Sequence, residues 1–178
     1  MLLFLLLSNF FFSLHSYSQT ELDMLAFEAL NEYRIEHGVE PLIFDTAVWR
    51  AAQHHSVYLG ENGYPYNYVC SSGHLELVLV NFYDRLNHFG VKWVGTGAEC
   101  VATWGGERSN EDNVIQVIHQ WDGSPPHKKG LLKEDVNRMA ISIVSISKNC
   151  DRYFNYNGVE TYFPHTCVNY FATLLLVR

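Results

Sequence analysis

Two histidines and one glutamate stand out as residues able to do chemistry: His74 in "SSGH", Glu99 in "GTGAECVA" and His127 in "GSPPHKKG". Each histidine is expected in a loop at the edge of a helix, where side chains can converge on a cleft. Glu99 is flanked by glycines and small residues. Two imidazoles and a carboxylate can form a metal site or an acid/base pair. They also serve as plain solvated loop residues, and spacing alone leaves all three readings open. Ser124 lies three residues before His127 and could be paired with it. Two prolines between them favour Ser124 as a helix C-terminal residue.

The elements that must carry these residues are helical in the first half of the chain. Leu22, Leu25, Ala26, Ala29 and Tyr33 fall on one helical face, and Gly38 ends that helix. A second helix starts with Asp45 or Thr46 as N-cap and buries Val48, Ala51, Ala52, His55 and Leu59. A third is expected over Leu75 to Phe89. "GVKWVGTGAECVATWGGERSN" reads as irregular. A fourth helix begins near Asn110, carries Val114, Val117, Ile118 and Trp121, and ends at Ser-Pro-Pro. There proline's fixed φ and missing N–H act as a terminator.

The last third changes period. "MAISIVSIS", "DRYFNYNG" and "VNYFATLLLV" are β-branched or aromatic, separated by turn residues. The final run is apolar on both faces and reads as a central strand covered on both sides. Helices followed by strands predict an α+β fold, a three-layer α-β-α sandwich around a small antiparallel sheet.

Hydrophobic residues make up 48% of the 178-residue chain and charged residues 17%, as in a globular domain. The net charge of −7, with no basic run, argues against nucleic acid as a partner. Residues 1–18 read as a secretory signal: Leu2 to Leu14 is a short apolar run, and Ser16 and Ser18 supply small residues for cleavage. No later segment is long and apolar enough to span a membrane. Residues 19–178 then form one domain, secreted or periplasmic. Four cysteines, Cys70, Cys100, Cys150 and Cys167, suit disulfides in an exported chain. The chain has no H-E-x-x-H, P-loop or G-x-S-x-G motif, and "GTGAE" follows no strand-to-helix unit that would hold a dinucleotide. Of the other histidines, His55 reads as a core residue, while His37, His54, His88, His119 and His165 read as surface or loop residues.

Taken in order, the motifs resemble the CAP superfamily, or SCP domain, in its bacterial secreted branch. "LNEYRIEHGVEPLIFD" is similar to the opening N-x-x-R…G…P-L…D signature, with Asn31, Arg34, Gly38, Pro41, Leu42 and Asp45. "AAQHHSVYL" resembles A-x-x-H-S, with Ala52, His55 and Ser56. "SSGH" matches the segment that supplies the first cavity histidine. "YDRLNHFGVKWVGTGAECVA" is similar to D-R…G-Y…G-E-N-I-A, with Asp84, Arg85, Gly90 and Glu99, and Cys100 replaces the family's asparagine. "VIHQWDGSPPHKKGLL" resembles W-x-x-S-P-x-H-x-x-x-L, with Trp121, Ser124, Pro125, His127 and Leu131.

The resemblance implies a cleft lined by His74, Glu99, Ser124 and His127. It also implies a secreted module binding a lipid, a cell-wall fragment or a protein rather than an enzyme; a hydrolase and a scaffold with a vestigial cleft are the alternatives. In that cleft His74, His127 and Glu99 would hold Zn²⁺ with an open fourth position. If His74 and Glu99 share the cleft, Cys70 and Cys100 should be neighbours and form a disulfide. Cys150 and Cys167 flank the aromatic strands and are the other expected pair, a bridge contributing roughly 3 kcal/mol.

Overall fold

The computed structural model describes residues 20–62, 81–150, 152–156, 159–163 and 165–178. The expected signal segment, Cys70 and His74 lie outside them. In chain order the elements are α1 (Glu21–Glu36), β1 (Ile43–Phe44), α2 (Thr46–Asn62), α3 (Phe82–His88), β2 (Gly97–Gly105), α4 (Asn110–Asp122), α5 (Pro125–Leu131), β3 (Arg138–Asn149), β4 (Arg152–Tyr156), β5 (Val159–Phe163) and β6 (Thr166–Val177).

One sheet has the order β1-β3-β6-β2. β3 pairs antiparallel with β6 from Arg138↔Val177 to Asn149↔Thr166, and β2 pairs antiparallel with the other edge of β6. β1 adds a short parallel edge on β3. The strands at 139–146 and 169–177 thus share one sheet, as expected. β4 and β5 form a separate two-stranded ribbon. Its base is clipped by Cys150–Cys167, the second expected disulfide.

Alternation along β6 makes the three layers. Ala172, Leu174 and Leu176 face α1, α4 and α5, packing with Ala26, Leu30, Val117, Trp121 and Leu131. Leu175 and Val177 face α2 and α3, with Val48, Ala51, Ala52 and Leu86. Each fully buried Leu or Val side chain among them contributes about 1.5–3 kcal/mol. The run apolar on both faces is therefore the central strand of the sandwich.

Local signals set the helix starts. Thr20 and Asp23 close a capping box on α1, Asp45 accepts from the N–H groups of Ala47 and Val48, and Ser109 caps α4. The expected α2 stripe is buried throughout. On α1 the buried line is instead Asp23, Ala26, Leu30 and Arg34, with Leu22, Leu25, Ala29 and Tyr33 on its flanks. The stripe turns because these two charged residues find partners inside.

Three sequence expectations are corrected. The segment read as irregular contains β2, an edge strand. α3 starts at Phe82 with Asn81 as its N-cap, so no continuous helix runs from Leu75 to Phe89, and residues 75–80 lie outside the described residues. And Ser-Pro-Pro begins a helix rather than ending one: α4 stops at Asp122 with Gly123 as its cap, Ser124 is the N-cap of α5, and the prolines occupy its first two positions. There a missing N–H costs nothing and φ is already helical.

α2 lies close on the sheet at Gly60, where an added Cβ would stand 2.6 Å from Ile146 Cγ1. Gly60→Ala gains about 1 kcal/mol of helix propensity but loses about 1–3 kcal/mol to overpacking. Urea unfolding should show a net loss of about 1 kcal/mol. A variant more stable than the parent would mean that the contact relaxes freely.

Candidate functional site

His127 stands on α5, not in a loop. Its Nδ1 lies 2.9 Å from Ser124 Oγ, and that hydroxyl makes no cap bond to the helix backbone. The N-cap and third helical positions face each other across the first turn, which is why Ser124 meets this imidazole. The sequence reading names this pairing but favours Ser124 as the C-terminal residue of the preceding helix, whereas it is the N-cap of the next. His127 is half-buried, and burial pushes its pKa below the ordinary histidine value of 6.5. The ring is therefore mostly neutral at pH 7.

α5 is held from three sides. The buried guanidinium of Arg34 donates to the carbonyls of Glu40, Leu131 and Lys133, tying the end of α5 to α1. Lys128 pairs with Asp122 at 2.7 Å, and Tyr33 donates to Asp122 at 2.6 Å. Beneath the helix, Cys100 Sγ lies 3.8 Å from the His127 carbonyl, and a Cβ on Gly130 would stand 3.0 Å from the same sulfur. Asn31 exchanges two hydrogen bonds with the Leu42 backbone. The opening N-x-x-R signature is thus architectural, since Asn31 and Arg34 place the segments on either side of it.

Glu99 occupies a different face. On β2, Ala98, Cys100, Ala102 and Trp104 pack toward α1, α4 and α5, while Val101 packs toward α2. The pleat sends alternate side chains to opposite faces, so Glu99 points toward α3 and meets Arg85 in an ion pair. The Arg85 side chain is 0% exposed and that of Glu99 23%. The β2 residue that reaches α5 beside His127 is Cys100.

Cys100 carries a free thiol. Cys70, the expected partner, lies outside the described residues, and the Cys100 sulfur is buried under α5. Burial, then the Glu99 charge, pushes its pKa up to about 12, so it stays protonated at neutral pH. Among the described residues no three His, Cys, Asp or Glu side chains gather as a metal-holding group. His74, the remaining expected ligand, lies outside them. The donor set fits a divalent cation in part. His127 offers a fixed neutral imidazole, whereas the guanidinium on Glu99 opposes a cation there.

Asp23 is a site residue that sequence reasoning missed. It closes the α1 capping box with Thr20, yet it is 1% exposed. Trp49 Nε1 donates to it at 2.9 Å and the Ile143 N–H at 2.8 Å, so one carboxylate joins α1, α2 and β3. His55 is buried as expected, its ring parallel to that of Tyr58. Ser56 Oγ lies 2.9 Å from both the Ser142 carbonyl and Thr173 Oγ1, so the A-x-x-H-S motif serves the helix–sheet contact.

Comparison with known proteins agrees with this architecture. The model of the cysteine-rich secretory protein family, CAP, matches residues 27–163. An outer surface protein of Borrelia burgdorferi superposes with a TM-score of 0.57 at 17% identity, covering 90% of this chain and 96% of that one. An extracellular protein of Bacillus anthracis containing an SCP domain gives 0.59 at 19% identity, covering 92% and 45%. A cysteine-rich secretory protein of Staphylococcus aureus gives 0.52 at 16% identity, covering 88% and 39%. The chain thus spans less than half of the Bacillus and Staphylococcus proteins. No curated protein matches it. At these identities the solved structures speak to the fold alone.

Proposed function

The chain belongs to the CAP family of cysteine-rich secretory proteins, and from that premise we propose that it is a secreted binding module whose ligand site is built around His127. The observation that carries this reading is the Ser124–His127 contact. With Nδ1 engaged by Ser124, the imidazole has a fixed orientation and only Nε2 remains to meet a ligand. A transition ion such as Zn²⁺ suits that nitrogen. In this reading Nδ1–H donates to Ser124 Oγ, His74 supplies a second ligand, and Glu99 stays with Arg85 as its counter-ion. With two ligands the site is modest in affinity and reversible. The larger ligand is a lipid, a cell-wall fragment or a protein met outside the cell. No helix among the described residues is long and apolar enough to cross a membrane.

Titration calorimetry with Zn²⁺ should give one saturable site at pH 7.5, weakened at least about tenfold, or 1.4 kcal/mol, in His127→Ala and in His74→Ala. Zinc should raise the melting temperature of the parent with increasing concentration. Metal competes with protons for the imidazole, and the His127 pKa lies below 6.5. Binding should therefore persist to a lower pH than for a free imidazole and fade in acid below it. If the parent has no saturable site, or both variants bind as well as it does, zinc has no place in the function.

The same contact also favours one second reading, a hydrolase in which the His127 imidazole serves as base for the Ser124 hydroxyl. That reading requires Ser124→Ala to abolish hydrolysis of an ester or peptide that the parent cleaves. The binding reading requires Ser124→Ala to weaken ligand affinity with no turnover in either protein.

A further inference from the structure

Trp93 is placed unlike the other tryptophans. Trp49, Trp104 and Trp121 are 3%, 8% and 0% exposed, whereas Trp93 is half-buried on the segment after α3. Its indole N–H donates to Asn87 Oδ1 at 3.1 Å, which fixes the ring in its plane. Tyr83, itself 38% exposed, stacks on it with centroids 4.7 Å apart and planes 27° from parallel. Trp93 also lines an open hollow of about 510 Å³ with Asn87, Gly90, Val91, Lys92 and Val94. Val94 is 75% exposed.

We propose that this hollow is an oligosaccharide site, in which one pyranose ring lies on the Trp93 indole and its hydroxyls meet the rim. A pyranose has an apolar C–H face and a polar edge. The hollow has the same division, with a locked aromatic wall and a rim carrying the Asn87 amide N–H groups and the Lys92 ammonium. An apolar protein partner would desolvate Asn87 and Lys92 without replacing their water. The apolar surface here is also small, three side chains, against the roughly 800 Å² per partner of a stable protein interface. Its volume falls within the about 300–1,000 Å³ usual for small-ligand sites. Ordering cost is low because hydrogen bond and stack hold the indole before any ligand arrives. The site lies beyond α3, on the layer opposite α5 and His127, so it neither uses nor requires the zinc chemistry proposed there.

Chitohexaose, cellohexaose and an acidic oligogalacturonate are suitable probes. Intrinsic fluorescence reports on the site because the other three indoles are buried. At least one probe should change the emission saturably. By calorimetry, Trp93→Ala should bind that probe at least about tenfold more weakly, or 1.4 kcal/mol, with Trp93→Phe between them. Tyr83→Ala should weaken binding too, and His127→Ala should leave it unchanged. A preference for the acidic probe that is lost in Lys92→Ala assigns the rim contact to a sugar carboxylate. A melting temperature near the parent's in Tyr83→Ala separates lost binding from lost fold. Absence of saturable binding to all three probes, or full affinity in folded Trp93→Phe and Tyr83→Ala, overturns the proposal. Concentration-dependent self-association abolished by Tyr83→Ala would overturn it too, making the patch a contact between copies.

Discussion

Asp23→Ala is expected to lower the free energy of unfolding by about 4 kcal/mol, enough to unfold much of a marginal domain. The change removes the acceptor for the Trp49 indole N–H and the Ile143 backbone N–H, both buried, and opens the capping box at Thr20. Each buried donor left without a partner costs about 1–3 kcal/mol, and loss of a cap costs about 1 kcal/mol. Asp23→Asn should lose less, because one amide oxygen still accepts. Burial raises the Asp23 pKa even though these donors pull it down. The sign follows from linkage. Only the proton-linked part of its contribution is present below the unfolded carboxylate value and lost as pH rises through the folded one. The hydrogen bonds remain, so Asp23 does not drive acid unfolding. Chemical denaturation of the three proteins at pH 7 gives the comparison. A loss under about 1 kcal/mol in Asp23→Ala would mean that water replaces the carboxylate.

Glu99→Ala is expected to cost about 3 kcal/mol while leaving zinc affinity within about twofold of the parent. Removing one partner of a buried ion pair typically costs about 3–5 kcal/mol, and the lower end applies because Glu99 reaches partly into solvent. Arg85 would lose the carboxylate it meets while remaining buried on the inner face of α3. Glu99→Gln should fall between, since it keeps an acceptor but not the charge. Thermal unfolding measures the first effect and calorimetry the second. A Glu99→Ala protein as stable as the parent, but with zinc affinity lost, would restore Glu99 as a ligand and reverse the assignment made to Arg85.

These two carboxylates also show where sequence reading stops. Elements with one repeated period were legible: the α2 stripe from Val48 to Leu59, α4 from Val114 to Trp121, and β6, apolar on both faces. The family pattern located His127 and Glu99 by type. It did not reveal that Glu99 and Cys100, being adjacent on a strand, must face opposite layers. That consequence requires recognising β2, whose alternation of Ala98, Cys100, Ala102 and Trp104 was masked by glycines at both ends. The Ser-Pro-Pro segment misled for a related reason. Proline ends one helix and starts another with equal ease, and only the distance to the next capping residue separates the cases. Asp23 was hidden because its local role, capping, accounts for it fully. Its long-range partners Trp49 and Ile143 lie on other elements.

The strand order has a consequence for synthesis. β6 is the latest of the described strands, yet it sits between β3 and β2 and pairs with both. Until residue 177 has left the ribosome, β2 and β3 have no partner between them, and neither helical layer has a complete surface to cover. A nascent chain of this topology stays open until β6 has been made. Its two layers therefore close together, once β6 has taken its place between β3 and β2.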